Sequence, residues 1–482
     1  MPELGEKIRH VIVLMLENRS FDHMLGHVFN PGQMPVPEPS ADFVQAGPDH
    51  SHAGVMWQML GHETALPAPT RPLTMSGFAE CHVEKRGGPG FEVLRGFRPE
   101  QLPVLSTLAQ EFVTCTNWFC SVPGETWPNR NFAHAGTSDG EVNIVPRFYH
   151  NDTIFERIED AGGSWRVYHQ GPAQVWCFPA LWPRPFHDRF DDHDDLLDDI
   201  ANDRLPSYAF VEPDHGLVFR DALDSSNSQH PANNVCKQAG DDGCTGRDLL
   251  EGERLLFSIY RALRAAPAVF RKTLLIVTYD EHGGFADQVA PPDDALPPGT
   301  GRSSSVFAFK LLGPRVPTLL ISPWIPRGTP DPRRYDHSAI PRNLRQLFAP
   351  KSDPLSDREA AANLFLDNLS LAKARSDLPL PTPRTPVLAA SEQRVARSSA
   401  RLAAPLRELD SFQQSLVDLS LLLDRELRVG RGARTRGATR DALDAAAAPA
   451  AREFTTEAER QLYLQELVRR FQKSGRFQPG ER

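Results

Sequence analysis

Cysteine is scarce in this chain. There are six in 482 residues, and only Cys115/Cys120 and Cys236/Cys244 lie close together. Neither pair has C-x-x-C spacing and no second pair accompanies them, which argues against a thiolate zinc site. Buried free thiols are the simpler reading. Cys236/Cys244, which bracket the polar stretch KQAGDDG, form the better candidate for a disulfide. Long apolar runs are absent too, since none approaches the ~18 residues of a membrane span. The run Val11–Leu16 is shorter than a secretory h-region and has no small-residue cleavage site after it. No signal peptide is read, so a cytoplasmic location is expected, with export by another route left open. There is no basic surplus: Lys+Arg number 53 against 62 Asp+Glu, a net charge of −9. A nucleic-acid partner is therefore not expected, although one charged pocket would be invisible in that sum. The H-E-x-x-H signature of a metalloprotease is missing as well.

Proline is abundant, at 43 residues set mostly between apolar runs, which indicates a loop-rich globular protein. Four short runs end abruptly in polar residues: His10–Leu16, Tyr208–Val211, Thr273–Tyr279 and Val316–Ile321. Their composition fits strands buried on both faces. Helical spacing is present over Asp152–Asp160, Leu249–Leu263 and Ser338–Phe348. Strands alternating with helices predict an α/β fold, a mostly parallel central sheet sandwiched by helices. Residues 27–100 and 213–247 show no clear periodicity and are expected to wall a pocket.

After Asp377 the character changes. A Pro-rich stretch is followed by Leu402, Leu406, Leu409, Leu416, Leu419 and Leu423 at helical spacing, a Gly/Ala/Arg stretch, and a second helical pattern over Thr456–Lys473. The expected division is a catalytic domain over 1–376 and a helical tail over 377–482. The tail would pack on the body or on another subunit, so oligomerisation through its helices is open, and it is expected to be dispensable for chemistry.

Glu17 and Asn18 follow the first strand, and Asp280 and Glu281 follow the third. Adjacent acids at strand ends repel unless protons or a cation neutralise them. Two such ends predict one hard divalent cation held by oxygen ligands, Ca²⁺, Mg²⁺ or Mn²⁺, with Zn²⁺ allowed by nearby histidines. Thr126, in the constrained segment PGETWPNRN, is a nucleophile candidate once a cation lowers its pKa. Asn129 and Arg130 beside it are candidates to hold anionic substrate oxygens.

Several blocks carry a resemblance. ENRSFD (Glu17–Asp22), CSVPGETWPNRNFAHAGTSDG, SNSQHPANNV, TLLIVTYDEHGGFADQVAPP, and VPTLLISPWIPRG followed by YDHSAI occur in this order. Together they resemble the phosphoesterase family of bacterial phospholipases C and related acid phosphatases. The resemblance covers about residues 8–365, with the tail outside it. It implies an alkaline-phosphatase-like core and metal positions at Glu17, Asn18, Asp280 and Glu281. It also implies a hydroxyl nucleophile at Thr126 that forms a phosphothreonine, and histidines around the phosphoryl group at His50, His230 and His337. The implied activity is metal-dependent hydrolysis of a small phosphate ester or a phospholipid headgroup ester; the alternative is an inactive binder of a phosphorylated ligand on the same fold. Ser228 stands where the family's N-D-Q-H-P has Asp, Gln288 where D-H-V is common, and Asp49 where Gly is common. These departures bear on substrate selectivity.

Overall fold

Three of the apolar runs form strands with the bounds expected, and they lie side by side in one sheet. The computed structural model describes residues 4–40, 47–66, 72–182, 189–218, 226–234, 247–384, 409–432 and 454–471. The strands are β1 His10–Leu16, β2 Val113–Trp118, β3 Trp165–Tyr168, β4 Phe190–Asp191, β5 Tyr208–Val211, β6 Thr273–Tyr279, β7 Thr318–Ile321 and β8 Thr329–Tyr335. Their order is β4-β3-β5-β1-β6-β7-β2-β8. β1 pairs in parallel with both β5 and β6. A strand flanked on both edges and covered on both faces can be apolar throughout, and β1 is buried from Val11 to Leu16.

β7 departs from the parallel arrangement, running antiparallel to both β6 and β2. β8 has the sequence TPDPRRY, in which two prolines lack the N–H a central strand must donate. It is tolerated because β8 lies at the edge and pairs only with β2. The same prolines hide it from a pattern-based reading.

Residues 27–100 include the short helices His52–Leu60 and Phe78–Arg86, so that region is more regular than its sequence suggests. No described helix is long and apolar enough to cross a membrane. Cys81, Cys115, Cys120 and Cys177 are buried free thiols; Cys236 and Cys244 lie outside the described residues.

Beyond the expected division at residue 377, the described part of the tail packs on the body. Its described helices are Ser411–Gly432 and Glu457–Phe471. Phe412, Leu416, Leu419 and Leu423 from the first, and Leu464, Leu467 and Val468 from the second, belong to the same continuous core as the sheet. Leu416, Leu419 and Leu423 of the leucine stripe, which was open to packing on the body or on another subunit, lie in this core. Leu402 and Leu406 lie outside the described residues.

Candidate active site

Parallel register brings the acids together. Leu16 of β1 pairs with Tyr279 of β6, so the next residues, Glu17 and Asp280, emerge side by side. Leu14 pairs with Val211 of β5, so Glu212 follows at the level of Met15. Side chains alternate along a strand while register partners share a face; Glu17, Glu212 and Asp280 therefore project to one side. All three are fully buried. Glu212 was not anticipated, although it follows the Tyr208–Val211 run as Glu17 follows His10–Leu16.

Thr126 is the first residue of the helix Thr126–Ala135. Its hydroxyl lies 3.4 Å from Asn18 Oδ1 and 3.5 Å from Glu17 Oε2. The Asn18 backbone N–H donates to Asp280 Oδ1 at 2.9 Å. Asn18 Nδ2 donates to His50 Nε2 at 3.4 Å, and His50 Nδ1 donates to the Pro48 carbonyl at 3.0 Å. A carbonyl can only accept, so in neutral His50 the proton sits on Nδ1 and Nε2 is the acceptor. That choice turns the Asn18 amide so that its oxygen faces Thr126.

Asn18 has a left-handed backbone, with φ of 56°, a conformation asparagine tolerates better than most residues. Gly283 packs against it: a Cβ there would stand 2.0 Å from the Asn18 carbonyl oxygen, and its own φ is +67°. Gly283→Ala is expected to cost about 1–3 kcal/mol from overpacking and backbone strain and to displace Asn18 from Thr126. Denaturant unfolding and turnover, measured together, check this; a variant with wild-type stability and rate would refute the close-approach argument.

Arg130, buried in the same helix, is the electrostatic hub. It donates to Glu212 Oε1 at 2.9 Å and Oε2 at 3.0 Å, to Glu17, and to the Met15 carbonyl at 3.2 Å. Its Nε lies 3.7 Å from Asp280 Oδ2. These partners engage the guanidinium that is expected to bind substrate oxygens, while Arg130 Nε makes no hydrogen bond among the described residues. Asn129, the other residue expected to hold substrate oxygens, is engaged within its own loop. It accepts from the Val122 N–H and donates to the carbonyls of Val122, Gly124 and Glu125, so it shapes the turn that presents Thr126. His337 is engaged within the fold as well. Trp118 Nε1 donates to its Nδ1 at 3.2 Å, which leaves the proton on Nε2 to donate to the Asp280 carbonyl at 2.6 Å. With both ring nitrogens engaged, His337 fixes the strand end that carries Asp280.

His230 does approach His50, with ring centroids 6.0 Å apart. Its segment is tied to the sheet by Glu17 N–H donating to the Ser228 carbonyl at 2.9 Å, and by Arg19 Nε donating to the Gln229 carbonyl at 2.8 Å. His230 Nδ1 accepts the Ala232 N–H at 3.2 Å, placing the proton on Nε2. Burial pushes the pKa of His230 down to about 4, so it is neutral. His50 is held above its ordinary value: burial lowers it, but Glu281, Glu125, the hydrogen bond to the Pro48 carbonyl and Asp49 together outweigh that.

The acids are under-neutralised. Burial pushes Glu17 well above the usual carboxylate range, against the pull of Arg130 and helped by Asp280 and Glu212. Burial also raises Glu281 to about 8, opposed by His50. Glu212 falls below its ordinary value despite burial, because Arg130 and His215 face it. Two buried carboxylate oxygens, Asp280 Oδ2 and Glu281 Oε1, accept no hydrogen bond among the described residues. Buried acceptors without donors, beside an amide oxygen and a hydroxyl, suit a hard cation. Glu17, Glu212 and His215 also offer ligand atoms within 4.8 Å of one another. That second grouping already has a cation, because Arg130 donates to both of its carboxylates. The residues around Asp280 and Glu281 are the better fit.

The sequence model of the Phosphoesterase family matches residues 8–349. Non-specific phospholipase C5 of Arabidopsis thaliana is 34% identical over 458 residues, covering 85% of this chain and 81% of that protein. That share is larger than residues 1–376 make up, so the likeness runs into the tail. Phospholipase C B of Mycobacterium tuberculosis is 28% identical, covering 71% and 73%. Among solved structures, a protein in the alkaline phosphatase superfamily from Vibrio parahaemolyticus matches with a TM-score of 0.34 and 11% identity, over 74% of this chain and 71% of that one. With the matched region carrying the acids, Thr126 and the histidines in one site, the chain belongs to the Phosphoesterase family and is a phosphoric ester hydrolase.

Proposed function

We propose that the protein cleaves phospholipid-type phosphoric esters by double displacement, with Thr126 Oγ1 as nucleophile and a phosphothreonine intermediate. The observation that carries this reading is the convergence of the Thr126 hydroxyl, Asn18 Oδ1 and Glu17 Oε2 within 3.4–3.5 Å at the start of a ten-residue helix. Helix N-terminal N–H groups lack intrahelical acceptors, and they favour an anionic phosphoryl group in front of the attacking oxygen. Asn18 and Glu17 orient the hydroxyl. Neutral His230 supplies an N–H donor for a phosphoryl oxygen. His50, with its raised pKa, is the residue able to take up a proton and return it to the leaving alcohol. Glu17, Asn18, Asp280 and Glu281 would hold a divalent cation, Ca²⁺, Mg²⁺, Mn²⁺ or Zn²⁺. When bound, such an ion supplies Lewis-acid polarisation and a lowered hydroxyl pKa. The lipid substrate class is supported by the phospholipase C names of the relatives.

The test uses purified protein, phosphatidylcholine vesicles and p-nitrophenyl phosphate, with and without a chelator. Release of diacylglycerol and a phosphomonoester, lost on chelation and restored by one of the four ions, is the expected result. Release of phosphatidate, or cleavage of the monoester alone, would refute the lipid reading. Glu17→Gln and Asp280→Asn should each lower bound metal by mass spectrometry, since each removes a formal charge from one shell; unchanged stoichiometry and affinity in both would remove the shared cation.

A further inference from the structure

The tail helix Ser411–Gly432 begins against the active-site wall. Asp410 and Gln413 form a reciprocal cap: Gln413 N–H donates to Asp410 Oδ1 at 2.7 Å, and Asp410 N–H donates to Gln413 Oε1 at 3.4 Å. The cap leaves Gln413 Nε2 directed outward from the helix, where it donates to the His215 carbonyl at 2.6 Å and to Asn233 Oδ1 at 3.0 Å. The Phe412 ring lies 4.7 Å from the His215 ring at 87° and 5.7 Å from Arg130 Cζ. His215 Nε2 in turn lies 2.9 Å from Glu212 Oε1. One turn further on, Ser415 Oγ accepts from Trp127 Nε1 at 2.9 Å, and Trp127 adjoins Thr126. Phe412 and Gln413 are both buried.

We infer that Phe412 and Gln413 are positioning residues for the reaction, acting through His215, Glu212 and Arg130. The physical reason is competition for one guanidinium. Glu17, Glu212 and Asp280 all face Arg130, and the share each receives depends on where Glu212 and Arg130 stand. Gln413 fixes the His215 backbone, and Phe412 fixes its ring; His215 then holds Glu212. The aromatic face also covers Arg130, where a cation–π contact replaces solvent. Shifting either residue frees Arg130 to move relative to Glu17, whose other oxygen faces the Thr126 hydroxyl. This reading rests on the proposed role of Thr126. It reverses the expectation that a chain ending near Asp377 keeps its turnover, because the missing part includes this turn.

Full-length Phe412→Leu, Gln413→Glu and Leu423→Ala are compared with wild type. Leu fills most of the Phe412 volume without a π face. Glu can still accept from Asp410 N–H, but an ionised carboxylate cannot donate to the His215 carbonyl. Leu423 is a buried core residue of the same helix, away from these contacts, and serves as the stability control. Phe412→Leu and Gln413→Glu are each expected to lower kcat about tenfold with KM changed less than about twofold, the pattern of an interaction that matters only in the transition state. Leu423→Ala is expected to lower Tm while kcat per folded molecule stays at the wild-type value. Equal kcat in wild type and both site-facing variants, or an equal loss in all three variants, would overturn the inference. If Phe412→Leu does not fold, Gln413→Glu alone decides by the same comparison with Leu423→Ala. The Thr126→Ala variant, run alongside, separates the two readings: its activity tests the nucleophile whatever the tail variants do.

Discussion

Thr126→Ala is expected to reduce turnover by roughly four orders of magnitude or more, the scale on which hydrolases lose rate when a nucleophile is removed. The fold should survive. The hydroxyl makes only long contacts, 3.4 Å to Asn18 Oδ1 and 3.5 Å to Glu17 Oε2, and alanine is a good residue in the first turn of a helix. Arg130 remains to hold the carboxylates together. Thr126→Ser keeps the attacking oxygen and removes only a methyl group, so it should retain measurable activity. Rapid quenching of wild type with a ³²P-labelled substrate should trap label on Thr126, with none on the Ala variant. An Ala variant within tenfold of wild type on the best substrate would rule Thr126 out as the nucleophile.

Arg130→Met should be the most damaging substitution for stability. Met preserves length and removes the charge, leaving Glu17, Glu212 and Asp280 buried around an apolar group. Removing one partner of a buried ionic cluster costs about 3–5 kcal/mol, because the remaining charges have lost their compensation. Glu17 already lies above the usual carboxylate range even with Arg130 in place. Arg130→Lys should rescue little, because a single ammonium nitrogen cannot reach Glu212, Glu17 and the Met15 carbonyl, which the guanidinium meets from two separate nitrogens. Adding Glu212→Gln to Arg130→Met should recover part of the loss, since it removes one of the uncompensated charges. Urea unfolding of the three variants at neutral pH measures the differences. A loss below about 1 kcal/mol for Arg130→Met, the range of an exposed pair, would show that the cluster is neutralised by something other than this guanidinium.

Asn129, Arg130 and His337 show where sequence reading stops. Each stands in or beside a chemically suggestive motif, and each has a side chain suited to bind a phosphate or move a proton. What they do depends on which partners reach them first. Asn129 meets its own loop, Arg130 meets three acids from three strands, and His337 meets an indole on one side and a carbonyl on the other. No local pattern reveals that engagement, because for Arg130 and His337 the partners come from distant parts of the chain.

Strand composition and strand ends are a different matter. Runs such as HVIVLML and TLLIVTY can be buried only where both faces are covered, and the acids that follow them must then emerge at the C-terminal edge of the sheet. The sequence by itself therefore determined the α/β class, β1, β5 and β6 to the residue, and acidic strand ends at Glu17 and Asp280. Glu212 obeyed the same rule. The strands rich in proline or polar residues, β8 and β2, were hidden because their place in the sheet, not their composition, makes them strands. The tail was hidden for a related reason. An amphipathic helix states that one face will be buried, but not against what. Only the tertiary structure decided that its first turn meets His215 and Arg130, because that contact joins residues some 200 to 280 positions apart in the chain, and a separation of that kind leaves no periodic trace for the sequence to carry.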